Sequence, residues 1–111
     1  FSIVVATADE VSVKAAAAVD KTLRDMGIKQ SRLLINRYDI KAAKKGKLLT
    51  VDDIINKTYV QLLGIVPEDK NVMYSTVTGQ INKKSKFSKA ISRISQRISG
   101  KNVELSLSLL K

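Results

Sequence analysis

Two short apolar runs that end in polar residues constrain the fold more than any other feature of this chain. They are LLINRY, residues 33–38, and LLGIVPED, residues 62–69. The starts of the two runs lie about thirty residues apart, which is the spacing of two parallel strands joined by a crossover helix. Open parallel sheets bind ligands just beyond the carboxyl ends of their strands. We therefore expect Asn36 and Arg37 to lie beside Pro67, Glu68 and Asp69, and we call these five residues the rim.

The remaining pattern completes a strand–helix–strand series. Residues 2–7 (SIVVAT) are a continuous apolar run typical of a strand buried on both faces, and residues 32–36 and 60–66 are the next two strands. Between the first two strands, apolar residues recur at spacings of three and four positions, which predicts a helix that begins near Asp9. Gly27 is its predicted C-terminal cap. The predicted buried stripe of this helix is Val11, Ala15, Val19, Leu23 and Met26.

Helix-start signals place the later elements. Thr50 and Asp53 fit a capping box for a short helix that ends near Lys57, and a second short helix runs from residue 68 to about residue 76. Ser85 caps the last helix, whose predicted buried stripe is Phe87, Ile91, Ile94 and Ile98. The pattern predicts an α/β fold with a partial parallel sheet of about three strands and flanking helices. Residues 1–100 form one unit, and residues 101–111 an extended tail in which residues 103–109 alternate apolar and polar.

Composition excludes several kinds of chemistry. The chain has no cysteine and no histidine, which removes disulfides, thiol nucleophiles, histidine bases and the usual zinc sites. We therefore predict no catalytic and no metal-binding residues, and a cytoplasmic location is compatible with the lack of cysteine. Lys and Arg number 20 against 10 Asp and Glu, a net charge of +10 that predicts attraction to polyanions. Because the chain opens with Phe1 inside a strand pattern, we interpret it as the downstream part of a longer protein.

The rim offers groups suited to a purine base. The Asn36 amide can donate and accept at once, as a purine edge requires. Pro67 offers a carbonyl acceptor and an apolar ring without a competing N–H. Purely structural interpretations remain open, with Asn36 bonding its own backbone in a turn and Glu68 and Asp69 serving only as acidic residues at a helix start.

The order of the motifs adds a family resemblance. IVVAT, LLINRY, KGKLLTVDDII, LLGIVPED and VMYSTVTG, in this order, resemble the second half of the MinD/ParA family of deviant P-loop ATPases, most closely MinD-like proteins. The resemblance covers nearly the whole chain through Gly100. It implies the second half of a Rossmann-like P-loop NTPase domain, from a protein that places the division site or a related cell structure.

The resemblance also implies a ligand and a partner. Asn36 and Pro67 correspond to the residues that lie against adenine in this family, and Arg37, Glu68 and Asp69 flank them as nucleotide-binding or dimer-contact residues. The cofactor is ATP, with Mg²⁺ bound by the preceding half, which also carries the phosphate loop and signature lysine. The longer protein, which we call the parent, is by this resemblance an ATPase and a homodimer, and this segment alone is not catalytic.

Two departures from the family pattern limit what is carried over. Ala15 and Ala17 stand where many MinD proteins have acidic residues that dock regulatory partners. The tail lacks the basic amphipathic helix typical of MinD, so membrane anchoring is not supported by this chain. Peripheral membrane association would depend on the parent.

Two alternative functions stay open. A ParA-type partition ATPase half would bind non-specific DNA through a basic face on the last helix. The residues of that face are Lys83, Lys84, Lys86, Lys89, Arg93 and Arg97. The other alternative is a stand-alone basic interaction module that binds no nucleotide.

Overall fold

A computed structural model describes residues 1–105, which form three strands and five helices. In chain order these are β1 (Ser2–Ala6), α1 (Glu10–Asp25), β2 (Ser31–Tyr38), α2 (Ile40–Lys44), α3 (Val51–Thr58), β3 (Leu62–Pro67), α4 (Lys70–Thr78) and α5 (Lys86–Ile98). The strands are parallel and ordered β1-β2-β3, which confirms the predicted α/β class. Residues 101–105 are neither helix nor strand, and the rest of the predicted tail, residues 106–111, lies outside the described residues.

Side chains close in sequence define the helix starts. Thr50 and Asp53 form the predicted capping box, with the Asp53 N–H donating to Thr50 Oγ1 at 3.1 Å and the Thr50 N–H donating to Asp53 Oδ2 at 3.2 Å. Asp9 accepts the Ser12 N–H at 2.8 Å, and Ser85 accepts the Ser88 N–H at 3.2 Å. Each cap satisfies backbone donors that the first turn of a helix leaves unpaired.

The main core lies on one face of the sheet, under α1 and α3. Leu33 and Ile35 of β2, Val13 of α1 and Ile54 of α3 are fully buried there. A smaller cluster lies on the opposite face, where α5 covers β3 through Ile94. The sheet is therefore covered unequally on its two faces.

The prediction that the first strand is buried on both faces is wrong for this chain. Val4 and Ala6 are buried, whereas 42% of Ile3 and 56% of Val5 are exposed. Within the described residues α5 packs on β3, and the corresponding face of β1 stays uncovered. β1 also forms an edge of the sheet, because it pairs only with β2 among the described strands.

The predicted buried stripe of α1 is also wrong, except at Leu23, which is partly buried and packs against the main core. Val13, Ala16 and Asp20 face the core, whereas Val11 and Met26 are 80% and 69% exposed. Nearly every residue between 11 and 19 is apolar, so the sequence offers two overlapping apolar stripes. Ala15 and Ala16 are equally small, so the contacts of α1 with β1 and α3, rather than side-chain size, decide which stripe is buried.

Candidate functional site

The rim forms where β2 and β3 end side by side. The Glu68 N–H donates to the Tyr38 carbonyl at 3.0 Å, which extends the pairing of the two strands past Pro67. Arg37 Nε lies 3.1 Å from Glu68 Oε2, in an ion pair between residues 31 positions apart in sequence. The structure thus brings together the two polar signatures that the sequence predicts to be neighbours.

Arg37 has an unusual backbone conformation. Its φ of 53° lies in the left-handed region, which residues other than glycine rarely adopt. The register of β2 against β3 is irregular between Ile35 and Tyr38, so Tyr38 returns to the buried face while Arg37 points to solvent. Backbone conformations of this kind are concentrated at functional sites.

Asn36 and Pro67 approach the edge from opposite faces of the sheet. Ile35 packs in the main core, so the next residue, Asn36, shares the other face with Leu34. Asn36 is half-buried, and within the described residues its amide has no hydrogen bond of the kind a turn residue makes. Pro67 is buried on the Tyr38 side. A base that contacts both residues would therefore lie across the edge of the sheet.

Asp69 fastens the rim to two helices. Its Oδ1 accepts the Asn71 N–H at 2.9 Å and caps α4, while its Oδ2 accepts the Phe87 N–H at 3.1 Å in the first turn of α5. Burial would raise the pKa of this carboxyl, but the hydrogen bonds from Asn71 and Phe87 outweigh it and hold the pKa below its ordinary value. Both carboxylate oxygens of Asp69 are thus engaged with the protein, which suits a positioning residue.

A cleft that the sequence did not reveal opens beside Pro67. Its volume is about 810 Å³, within the range of small-molecule sites. Its apolar lining includes Tyr38, Ile40 and Pro67, and four lysines from three helices surround it, namely Lys41, Lys44, Lys70 and Lys86. The basic sequence DIKAAKKGK, residues 39–47, is a signal of lysines near this edge of the sheet. The sequence does not predict helix α2, which places Lys41 and Lys44 at the cleft.

The basic face predicted on the last helix is only partly present. Arg97 donates to the Val103 carbonyl at 2.8 Å and to the Leu62 carbonyl at 3.5 Å, so it braces the fold rather than facing solvent. Arg93 is half-buried, and Ala90 and Ile94 are the residues that α5 buries. The buried face is rotated away from Ile91 and Ile98, which are 40% and 49% exposed. The other members, Lys83, Lys84, Lys86 and Lys89, are exposed.

Residues 1–105 contain no group of three or more His, Cys, Asp or Glu side chains placed to hold a metal ion. None of the helices described above is long and apolar enough to cross a membrane.

Comparisons with known proteins confirm the resemblance. No protein-family profile matches the chain. A putative septum site-determining protein MinD of Mesostigma viride is 37% identical over 86 residues, which cover 75% of this chain and 30% of that protein. A MinC:MinD complex from Aquifex aeolicus matches with a TM-score of 0.90 at 25% identity, over 94% of this chain and 44% of the solved chain.

A third match concerns the fold alone. MinD of Pyrococcus horikoshii, solved in complex with Mg-ADP, has a TM-score of 0.75 at 19% identity, over 86% of this chain and 40% of that one. This chain spans less than half the length of each of these three proteins.

Proposed function

We propose that this chain, which is MinD-like in sequence and fold over most of its length, supplies the adenine-binding rim of an ATPase that helps to place the cell-division site. The main support is the junction of β2 and β3, where the Arg37–Glu68 pair joins the two polar signatures at 3.1 Å. That junction lies at the carboxyl ends of parallel strands, where α/β sheets bind ligands.

Each rim residue has a part in this proposal. The Asn36 amide donates to a ring nitrogen of adenine and accepts from its exocyclic amine. The Pro67 carbonyl and ring provide an acceptor and an apolar contact at the same edge. Arg37 and Glu68 keep the two strand ends together, and Asp69 holds them against α4 and α5. None of these residues is assigned a catalytic role.

The phosphates and Mg²⁺ of ATP are assigned to the rest of a longer protein. This chain has no glycine-rich phosphate loop. The relatives it matches are more than twice as long, and the Pyrococcus horikoshii protein carries Mg-ADP. The unpaired edge of β1 suits a sheet that continues into that part, and the exposed Ile3 and Val5 suit an element of that part packed on the same face. A homodimer of the longer protein, cytoplasmic or peripheral at a membrane, belongs to the same proposal.

The Asn36→Ala substitution in the full-length protein tests the proposal. We expect ATP binding to weaken by about 1–3 kcal/mol, because one recognition hydrogen-bond partner is lost. Isothermal calorimetry measures this change, with Asn56→Ala, on the exposed side of α3, as the matched control. Equal ATP affinity for Asn36→Ala and the unaltered protein would remove Asn36 from the site.

Duplex DNA is a second candidate ligand. Lys83, Lys84, Lys86 and Lys89 are exposed, and none belongs to an ion pair among the described residues. Such a cluster can neutralise phosphates without reading sequence. This function would fit the partition-type alternative rather than division-site placement.

A further inference from the structure

Helix α4 is the least explained feature of the molecule. None of its residues is buried, and Met73, Tyr74 and Val77 are 69%, 59% and 85% exposed. Spacings of three and four residues place Val77 beside both Tyr74 and Met73 on the helix surface. Ile81, 69% exposed, follows shortly after the helix ends.

This exposure is unusual for a short helix. Helices of this length are stable in proteins mainly because they bury an apolar face against the rest of the fold. Helix α4 is capped at its start by Asp69, whereas Met73, Tyr74 and Val77 face solvent. Tyr74 and Ile81 also line the same surface pocket. Exposed apolar side chains gathered in this way mark an interaction surface.

Beyond its Asp69 cap, α4 and the sequence that follows it carry charge of one sign. Residues 70–103 contain six lysines and two arginines but no aspartate or glutamate. Lys70 lies on the same helix face as Met73 and Val77, three and seven positions before them, and Lys83 and Lys84 follow Ile81. Among the described residues, no ion pair involves these three lysines.

We propose that this surface docks an acidic amphipathic helix of a partner protein. The surface consists of Met73, Tyr74, Val77 and Ile81, framed by Lys70, Lys83 and Lys84, and we call it the α4 surface. The apolar side chains of the partner helix would pack on Met73 and Val77. Its carboxylates would pair with the surrounding ammonium groups, which sets partner choice and association rate.

Charge and chemistry favour this occupant over two others. A second copy of the chain would bring the same cluster of lysines against itself, and like charges across an interface are costly. Nucleic acid offers phosphates to the lysines but no apolar face for Met73 and Val77. The inference concerns a different surface from the rim and does not depend on nucleotide binding.

The test uses the full-length protein and a designed helical peptide with leucines on one face and glutamates on the other. Fluorescence anisotropy of the labelled peptide measures binding. We expect Val77→Asp to weaken binding by about tenfold or more, since buried anchors dominate such interfaces. Val11→Asp is the matched control, because Val11 is 80% exposed on α1, and it should leave binding unchanged. If Val77→Asp disturbs the folding of α4, the uncharged variant Val77→Ser takes its place and should likewise weaken peptide binding.

Charge is tested separately. Lys83→Glu with Lys84→Glu should weaken binding and reduce its dependence on salt. Peptides with lysine in place of glutamate, or serine in place of leucine, should not bind.

Several results would overturn the proposal. One is peptide binding that is absent, or equally strong with Val77→Asp. Another is equal loss with Val11→Asp. A third is duplex DNA, or vesicles of phosphatidylcholine and phosphatidylserine, binding in place of the peptide.

Discussion

Replacing Asp69 with alanine should loosen two helices from the rim at once. The substitution removes the cap of α4, a loss of about 1 kcal/mol. It also leaves the Phe87 N–H, in the first turn of α5, without the acceptor that it now has at 3.1 Å. A buried donor left unpaired costs about 1–3 kcal/mol. The expected loss is therefore about 2–4 kcal/mol, a large part of the stability of a small domain.

Asp39→Ala is the matched control for this prediction. Asp39 caps α2 by accepting two backbone N–H groups at 3.1 Å, but within residues 1–105 no hydrogen bond from a second helix reaches its carboxylate. Its removal should cost only about 1 kcal/mol. Urea unfolding of the full-length variants measures both. A loss for Asp69→Ala no greater than that for Asp39→Ala would refute the link between the rim and α5.

The same carboxylate predicts a pH dependence. The pKa of Asp69 is lower in the folded protein than in the unfolded chain. Its contribution is therefore fully present above the ordinary aspartate pKa of about 3.9 and is lost as pH falls through the lower folded value. The stability difference between the unaltered protein and Asp69→Asn should shrink in that acidic range. A difference that stays constant down to the acid transition would contradict this assignment.

Three other expectations concern packing, DNA and folding. Gly64→Ala should destabilise the protein by about 1–3 kcal/mol in urea unfolding, because the added Cβ would overlap Ile94 of α5; no change would mean that α5 shifts freely. If the lysines bind DNA, the logarithm of the binding constant should fall with the logarithm of the salt concentration, at a slope of about −0.9 per phosphate contacted. Changing Lys86, Lys89 and Arg93 to glutamate should abolish DNA binding. DNA binding that survives the reversal would assign these residues to solvation alone. The isolated 111-residue chain should self-associate or stay partly molten, because β1 has an uncovered face and edge. It should hydrolyse no ATP, because it has no glycine-rich phosphate loop. A monomer that melts cooperatively would contradict that expectation.

Features that depend on neighbours in sequence could be predicted. The capping box of Thr50 and Asp53 and the Ser85 cap are confirmed, because each acts across three residues. The parallel order of the three strands is also confirmed, since a crossover of about thirty residues leaves few other arrangements. Because β2 and β3 are neighbours in that order, the sequence also predicts that Arg37 and Glu68 lie close together.

Features that depend on distant packing could not be predicted. The buried face of α1 differs from the predicted stripe, because Ala15 and Ala16 are the same residue and only the contacts of the helix with the rest of the fold decide which of them is buried. The sequence places Arg97 on a basic face that would contact DNA, but its guanidinium reaches the Leu62 carbonyl 35 positions away. The left-handed backbone of Arg37 has no signal in the residue itself. Likewise, the bond from Asp69 to Phe87 spans 18 positions and appears only in the folded chain.

The most direct measurement is a crystal structure of the full-length protein with a non-hydrolysable ATP analogue. The account predicts that the adenine lies across the edge of the sheet at the ends of β2 and β3. The Asn36 amide should lie about 3 Å from ring and amine nitrogens of the base, the distance of a hydrogen bond, with Pro67 in contact with the base. An adenine bound elsewhere, or a base that leaves the Asn36 amide without a bond, would contradict the assignment of the rim.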